Sequence, residues 1–405
     1  MNGMISALTE RTIREQVALG RDPLYLYDTA MIRGMCRRFA SLPYPHTAVH
    51  FACMANSHPA FLGIIREEGL GIFVNSPMHL HLALAAGFAG HEIVYAASAM
   101  DEAAMWAVHD AGAIVNLDST DQVARWRRMF PESPFGIRCN IGELVEPRET
   151  RGGYFIGRES RLGLTPDEIH ALRGDRSVAG LHLYVGTDIC SLDYFRRCYE
   201  VLAEFAAGFP AVTHLDLGGG FGLEDEQGEE FDFGAYGAMT AAFMRRVSAA
   251  AGRPVRMILE PGRIIGGRAG WFVCRVTDVK LRGGRQLVGV NASSVQFPRP
   301  LFYPDSARHP VRILHVDNAL NGKPALRSSV YGCSTYSRDF LARDVQLPNA
   351  RIGDIVVLGN AGSYCASAYT RFLGFPPAKE VFHDAATGSY PGRAADVSLR
   401  AAYGL

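Results

Sequence analysis

The sequence predicts an α/β fold: a closed (β/α)8 TIM barrel followed by a C-terminal antiparallel β domain. Eight short β-prone runs, at 48–53, 71–75, 92–95, 113–117, 135–139, 178–184, 213–217 and 255–259, alternate with amphipathic helical stretches. Eight strand–helix repeats are the pattern of a closed parallel barrel. Near residue 270 the character changes to Val- and Ile-rich runs: Trp271 to Val279, Gln286 to Val290, Val311 to Val316 and Asp354 to Leu358, separated by Gly, Pro and Asn. Those runs read as antiparallel strands. A length of 405 residues exceeds one ordinary core and suits a large domain plus a smaller one, the barrel being expected at 30–270.

Helix punctuation supports the barrel. Ser57 is placed to cap the segment ending at Gly69, Asp101 to cap the one ending near Gly112, and Gly87 follows Leu80 to Ala86. Between Gly142 and Gly163 the charges are dense and Gly152-Gly153 offers little packing, so a long loop is expected at the barrel's C-terminal face.

Composition narrows the function. Lys plus Arg and Asp plus Glu balance at 41 each, so no global field would hold the chain on nucleic acid or an anionic membrane, and a small-molecule partner is favoured. Eight cysteines are scattered singly, without the close pairs of zinc or redox motifs, and Met1 to Gly20 has no signal-peptide core. The expectation is a reduced, cytoplasmic protein. Apolar runs such as Leu80 to Phe88 are short and interrupted by His81, so no membrane span is expected.

Barrel enzymes carry their chemistry on the loops after the strands. Leu215-Asp216-Leu217-Gly218-Gly219-Gly220-Phe221-Gly222 follows one such run, and backbone without side chains lets amides approach phosphate oxygens closely. An ordinary tight turn is the competing reading. Glu260-Pro261-Gly262-Arg263 closes the eighth run. A structural ion pair between Glu260 and an arginine is the alternative there.

With these motifs, and with Phe51-Ala52-Cys53-Met54-Ala55-Asn56, Leu24-Tyr25-Leu26-Tyr27-Asp28 and Ala361-Gly362-Ser363-Tyr364, the chain resembles the fold-type III pyridoxal-phosphate decarboxylases, the group of the ornithine, arginine and diaminopimelate enzymes. The resemblance implies a C-terminal β-barrel-like domain that residues 1–29 join to 271–405, with Tyr25 and Tyr27 on the added strand. It implies pyridoxal 5'-phosphate as cofactor and a homodimer with shared active sites. Glu260 would partner the pyridine nitrogen, a carboxylate there keeping the ring protonated so that it draws electrons from a breaking bond. Gly218, Gly219, Gly220, Gly262, Arg263, Thr187 and Tyr364 would complete the cofactor shell, with the Tyr364 phenol on the phosphate. Cys333, in Tyr331-Gly332-Cys333-Ser334-Thr335, matches a cysteine supplied by the neighbouring subunit to reprotonate the product carbon; an inert cysteine is the bland alternative. The segment Asn291 to Tyr303 aligns without a gap, and Arg299 and Tyr303 would hold the substrate, Arg299 gripping a carboxylate.

The departures are equally specific. Met54 stands in place of the lysine that anchors the cofactor, Phe73 in place of an Asp, His79 of a Glu and Tyr184 of the ring-stacking histidine. Removing the lysine cation would strand a buried carboxylate at a cost of roughly 3–5 kcal/mol, which Phe73 relieves. Ser334 replaces an acidic residue that recognises a distal substrate amine. The only lysines are Lys280, Lys323 and Lys379, none after a barrel strand. The expected function is a decarboxylase-like lyase acting on a small amino acid or amine-bearing intermediate, its cofactor held without a covalent link, with His79 or Tyr184 as candidate proton carriers. A catalytically silent binding or regulatory homologue, and a different reaction in the same pocket, are the alternatives. Alanine racemases share the barrel, but the Cys333 motif and Arg299 to Tyr303 favour the decarboxylase branch.

Overall fold

A computed structural model describes residues 5–146, 154–225, 227–304, 306–316 and 325–384. Gly152-Gly153 and Lys323 lie outside the described residues. The chain divides into two compact units, 33–264 and the combination of 1–32 with 265–405.

Strand β1 (Leu24–Asp28) belongs to the second unit. The first unit is a closed barrel of β2 (Thr47–Ala52), β3 (Gly71–Val74), β4 (Ile93–Ala96), β5 (Ile114–Leu117), β6 (Phe135–Arg138), β7 (Val178–His182), β8 (His214–Asp216) and β9 (Arg256–Leu259), in sequence order. All eight expected runs are strands. Every pairing is parallel, and β9 returns to β2 through Thr47↔Met257 and Val49↔Leu259. Such strands are buried on both faces, which is why they read as nearly continuous apolar runs.

The helices between them start where side chains satisfy orphan amides. Asp101 Oδ1 accepts from Ala104 N at 2.8 Å, as its position suggests, and Gly87 closes the helix Pro77–Ala85 with φ +87°. Ser57 does not cap its helix. Pro59 occupies the first turn, so the cap falls on His58, whose Nδ1 accepts from Ala60 N at 3.1 Å. The described parts of the 142–163 segment hold no helix or strand; there Asn140 Oδ1 accepts from the amides of Gly142 and Gly157.

Two imidazoles sit inside the barrel where neighbouring strands lack side chains. A Cβ on Gly71 would stand 2.5 Å from His50 Cδ2, and one on Gly180 1.9 Å from His214 Nε2. Burial pushes His50 down to about 3 and His214 to about 4, so both are neutral at pH 7.

In the second unit β10 (Gly270–Arg282) is the hub, pairing with β1, β11 (Arg285–Val290) and β15 (Ile355–Leu358). The sheet adds β12 (Val311–Leu314), β13 (Leu326–Tyr331), β14 (Phe340–Leu347) and β16 (Lys379–His383). It is mixed rather than wholly antiparallel. β11 pairs parallel with β13, and β1 parallel with β16, because a long connection or most of the chain separates each pair. The helix Ala7–Ala18, capped by Ser6 Oγ at 3.0 Å from Thr9 N, contributes Ile13 and Val17 to a core with Leu24, Leu26, Trp271, Val273, Val357 and Val381. Truncating Ile13 to alanine there would cost roughly 2–5 kcal/mol.

Candidate active site

Adjacency of β7, β8 and the end of β9 creates a buried polar cluster from one residue at each strand end. Register pairs His182 with Asp216, and Glu260 follows the last residue of β9. Donor atoms of His182, Asp216 and Glu260 lie within 4.8 Å of one another, an arrangement able to share protons or hold a cation. His182 Nε2 stands 3.3 Å from Glu260 Oε2, Gly218 N donates to Asp216 Oδ1 at 3.0 Å, and Asn116 Nδ2 approaches Asp216 Oδ2 at 3.5 Å.

Burial raises both carboxyls. Glu260 reaches about 8, its rise opposed by the Asp216 contact and the Arg138 charge, while Asp216 is raised by burial and then by Glu260. His182 falls to about 4, chiefly through burial. At pH 7 the histidine is therefore neutral and the carboxyl pair retains a proton. Glu260 Oε1 and His182 Nδ1 have no hydrogen-bond partner among the described residues, a cost tolerated where a ligand supplies the missing contact.

The glycine run packs three strand ends together. A Cβ on Gly218 would lie 2.0 Å from Leu183 O, on Gly219 2.2 Å from Glu260 O, and on Gly220 2.4 Å from Gly186 O. Gly218 and Gly220 also have φ of +69° and +94°, which L side chains resist. Glu260 N donates to Gly218 O at 2.8 Å and Ile189 N to Gly220 O at 2.8 Å. The amides of Gly219 and Gly220 donate to no acceptor among the described residues, so two N–H groups remain for an anion.

Around this cluster the expected residues are distributed unevenly. Met54 lies on a half-buried turn, Cys53–Ala55, directly after β2. Phe73 on β3 stacks toward His182, with ring centroids 6.3 Å apart and planes 18° apart. Tyr184, two residues beyond β7, meets Phe155 edge-to-face at 4.9 Å. His79 opens the helix Pro77–Ala85, with Nδ1 3.0 Å from Asn75 Oδ1, and burial lowers its pKa. Thr187 is exposed. Gly262 is buried just after Glu260, and Arg263 reaches Asp188 of the β7 loop with Nε 2.7 Å from Oδ1.

The remaining candidates belong to the β unit. Arg299 is buried at the start of a short helix, with Nη1 3.5 Å from His309 Nε2, and Tyr303 at its end is exposed. Tyr364 adopts φ +56°, in a turn where a Cβ on Gly362 would stand 1.9 Å from Gly266 O. Cys333 is exposed as a residue, yet partial burial of its thiol, then the Asp339 charge, raises its pKa. Ser334 does not stand open for a substrate: its Oγ donates to Asp339 Oδ2 at 2.5 Å and its amide to the same oxygen at 3.1 Å. Asp339 Oδ1 also accepts from Ser294 N at 2.6 Å and Ser293 Oγ at 3.1 Å. That carboxylate fixes the Cys333 loop, and a two-oxygen acceptor draws the serine inward.

Residues 29–267 match the family described as "Pyridoxal-dependent decarboxylase, pyridoxal binding domain". The chain belongs to this family. It is 31% identical over 375 residues to diaminopimelate decarboxylase from Methanothermobacter thermautotrophicus, covering 89% of this chain and 86% of that protein. A crystal structure of diaminopimelate decarboxylase superposes with TM-score 0.84 at 25% identity, covering 94% of this chain and 92% of the other. The Helicobacter pylori diaminopimelate decarboxylase, solved with L-lysine, superposes with TM-score 0.83 at 20% identity over 96% of this chain and 98% of that one, a likeness of fold.

Within this pyridoxal-dependent family member, sequence reasoning overlooked His182, Asp216, Asn116 and Arg138. Arg138, at the end of β6, has its Nε 3.8 Å from Asp118 Oδ1, and its charge acts on Glu260. One signal was available for three of them: His182, Asn116 and Arg138 are each the lone polar residue in or ending an otherwise apolar barrel strand, whereas Asp216 shares its strand with His214.

Proposed function

We propose that this chain is a pyridoxal-phosphate-dependent decarboxylase of a small amino acid or amine-bearing intermediate that holds its cofactor without a covalent link. Glu260 carries the reading: a carboxyl in the barrel mouth, with one oxygen unpartnered among the described residues, suits the nitrogen of a pyridine ring. The pyridoxal ring supplies the electron sink for the bond broken on loss of carbon dioxide. The unengaged amides of Gly219 and Gly220, with Gly218 and Gly262 shaping the turns, would take the phosphate, assisted by Arg263, Thr187 and Tyr364.

The protein's own contribution is electrostatic and positional. Neutral His182 holds Glu260 through Oε2, leaving Oε1 for the ring nitrogen, and Asp216 keeps a proton in the same dry cluster. Tyr184 offers an aromatic face. His79, neutral and half-buried, would carry a proton, and Cys333 of a second copy in a homodimer would return one to the product carbon. Arg299 and Tyr303 would recognise the substrate. Met54 sets the distinctive feature, since the barrel unit 33–264 contains no lysine. Product must therefore leave without displacement by a resident amine, and slow turnover follows.

The test is absorption with and without added pyridoxal phosphate, then borohydride reduction with intact-mass measurement and assay of carbon dioxide release from candidate amino acids. Reversible binding without a covalent adduct, together with carbon dioxide release, is expected. Absence of binding would refute the reading. A second reading, a silent ligand-binding homologue, is favoured by the joint loss of the lysine and its acidic neighbours. It predicts binding with no carbon dioxide released.

A further inference from the structure

A concavity of about 420 Å³ opens beside the carboxyl ends of β4 and β5, with Ser98, Asp118, Asp121, Arg125, Arg161 and Glu168 in its lining. Its size falls in the range of small-molecule pockets. Arg125 lies on the helix Thr120–Met129, where Arg127 and Arg128 are engaged by Asp175 and Glu102. Arg125 and Arg161 themselves have no hydrogen-bond or ion-pair partner among the described residues. Arg125 is half-buried and Arg161 exposed, and each guanidinium is a fork of donors matched to a planar oxyanion.

The acids in the lining differ from one another. Asp118 is already satisfied by Ser98 Oγ at 2.6 Å and Gly163 N at 3.0 Å, with Arg138 at 3.8 Å. Glu168 commits Oε2 to the amide and hydroxyl of Thr165, at 2.8 and 2.9 Å, while Oε1 has no partner among the described residues. Asp121 precedes Arg125 by one helical turn and also lacks a partner among them. With Asp118 matched by Arg138, the wall offers two unpaired cations and two carboxylates with free acceptor capacity. A bare phosphate would meet as much repulsion as attraction there. A molecule carrying one charge of each sign would not.

We propose that this concavity is a binding site for a small amino-acid zwitterion, its carboxylate on Arg125 and Arg161 and its ammonium on Asp121 and Glu168. The concavity adjoins the Glu260 cluster through Asp118 and Arg138, but the residues assigned to its ligand are others, and the assignment does not depend on the function proposed for that cluster.

Calorimetric titration of the full chain without pyridoxal phosphate tests this, using L-alanine, L-lysine and L-glutamate singly, with acetate, methylammonium and inorganic phosphate as single-charge controls. At least one amino acid should bind the wild type, bind Glu260→Gln equally, and bind an Arg125→Gln/Arg161→Gln double variant about tenfold more weakly or worse. Asp121→Asn should weaken the amino acid while leaving acetate unchanged, and circular dichroism should find both variants folded. Failure of every amino acid to bind, unchanged affinity in the double variant, or loss of binding in Glu260→Gln would each overturn the assignment. Phosphate binding as well as the amino acid would overturn it too, marking the pocket as a plain anion site.

Discussion

Replacing Gly219 by alanine should damage the cofactor cradle without touching any charged group. The added Cβ would lie 2.2 Å from Glu260 O. An unstrained carbon–oxygen contact needs about 1 Å more, so the β8 loop must back away from the end of β9. Overpacking of this kind costs about 1–3 kcal/mol, and a displacement near 1 Å at a reacting centre costs about a hundredfold in rate. Pyridoxal phosphate affinity, followed by absorption, should fall about tenfold or more, with the urea midpoint reduced. Gly63→Ala is the control: nothing lies within 4 Å of its Cβ position in the helix Pro59–Glu67, so affinity should hold and stability rise by about 0.5–1 kcal/mol. If Gly219→Ala bound pyridoxal phosphate as the wild type does, the cradle would have to lie elsewhere.

Further expectations follow from the buried groups. His50, His182 and His214, near 3, 4 and 4, lie below an unfolded value of about 6.5, so the unfolded chain gains protons that the native one refuses and stability falls as pH drops below about 6.5. Glu260, near 8, and Glu380, near 7, act in reverse: the stability they lend at low pH is lost as pH rises from about 4.5 through those values. At about 1.4 kcal/mol per proton per pH unit, the three histidines outweigh the two carboxyls up to about pH 6.5, so urea midpoints should peak at about pH 6.5, with His214→Gln flattening only the acid limb; an unaltered acid limb would contradict this. Glu260→Ala should lower carbon dioxide release at least a hundredfold while inorganic phosphate still competes with pyridoxal phosphate, and full activity would eliminate the electron-sink role. Met54→Lys should give a borohydride-fixed pyridoxal adduct by intact mass, absent from the wild type; no adduct would mean that the turn after β2 does not face the cofactor. Asp339→Ala orphans the amides of Ser294 and Ser334 and should cost about 2–5 kcal/mol in urea; a loss below about 0.5 kcal/mol would show that the Cys333 loop does not depend on it.

Much of the architecture was legible because barrel strands are local: each is a run of three to six mostly buried residues, and all eight lie within a residue or two of their expected places, although the structure trims 213–217 to His214–Asp216. The β unit was read less completely. Leu326–Tyr331, Phe340–Leu347 and Lys379–His383 escaped because polar or charged residues punctuate them, and their pairing partners lie far away in sequence. At the site, Glu260 and the glycines stood out by motif. His182 and Asp216 did not, since only the parallel pairing of β7, β8 and β9 brings their ends side by side. The bond from Ser334 to Asp339 was hidden for a related reason: its partner follows five residues later, beyond a turn the pattern does not specify.

The parallel pairing of β1 with β16 has a consequence for biogenesis. A ribosome delivers Leu24–Asp28 early, but the neighbour that covers one side of it emerges only with Lys379–His383. Residues 33–264 are contiguous and able to close first, while the amino-terminal helix and strand wait for the last part of the sequence to be made. Nascent chains halted before about residue 379 should therefore carry an open sheet edge that invites chaperones or aggregation, and a stop codon late in the gene should be as damaging as one early in it.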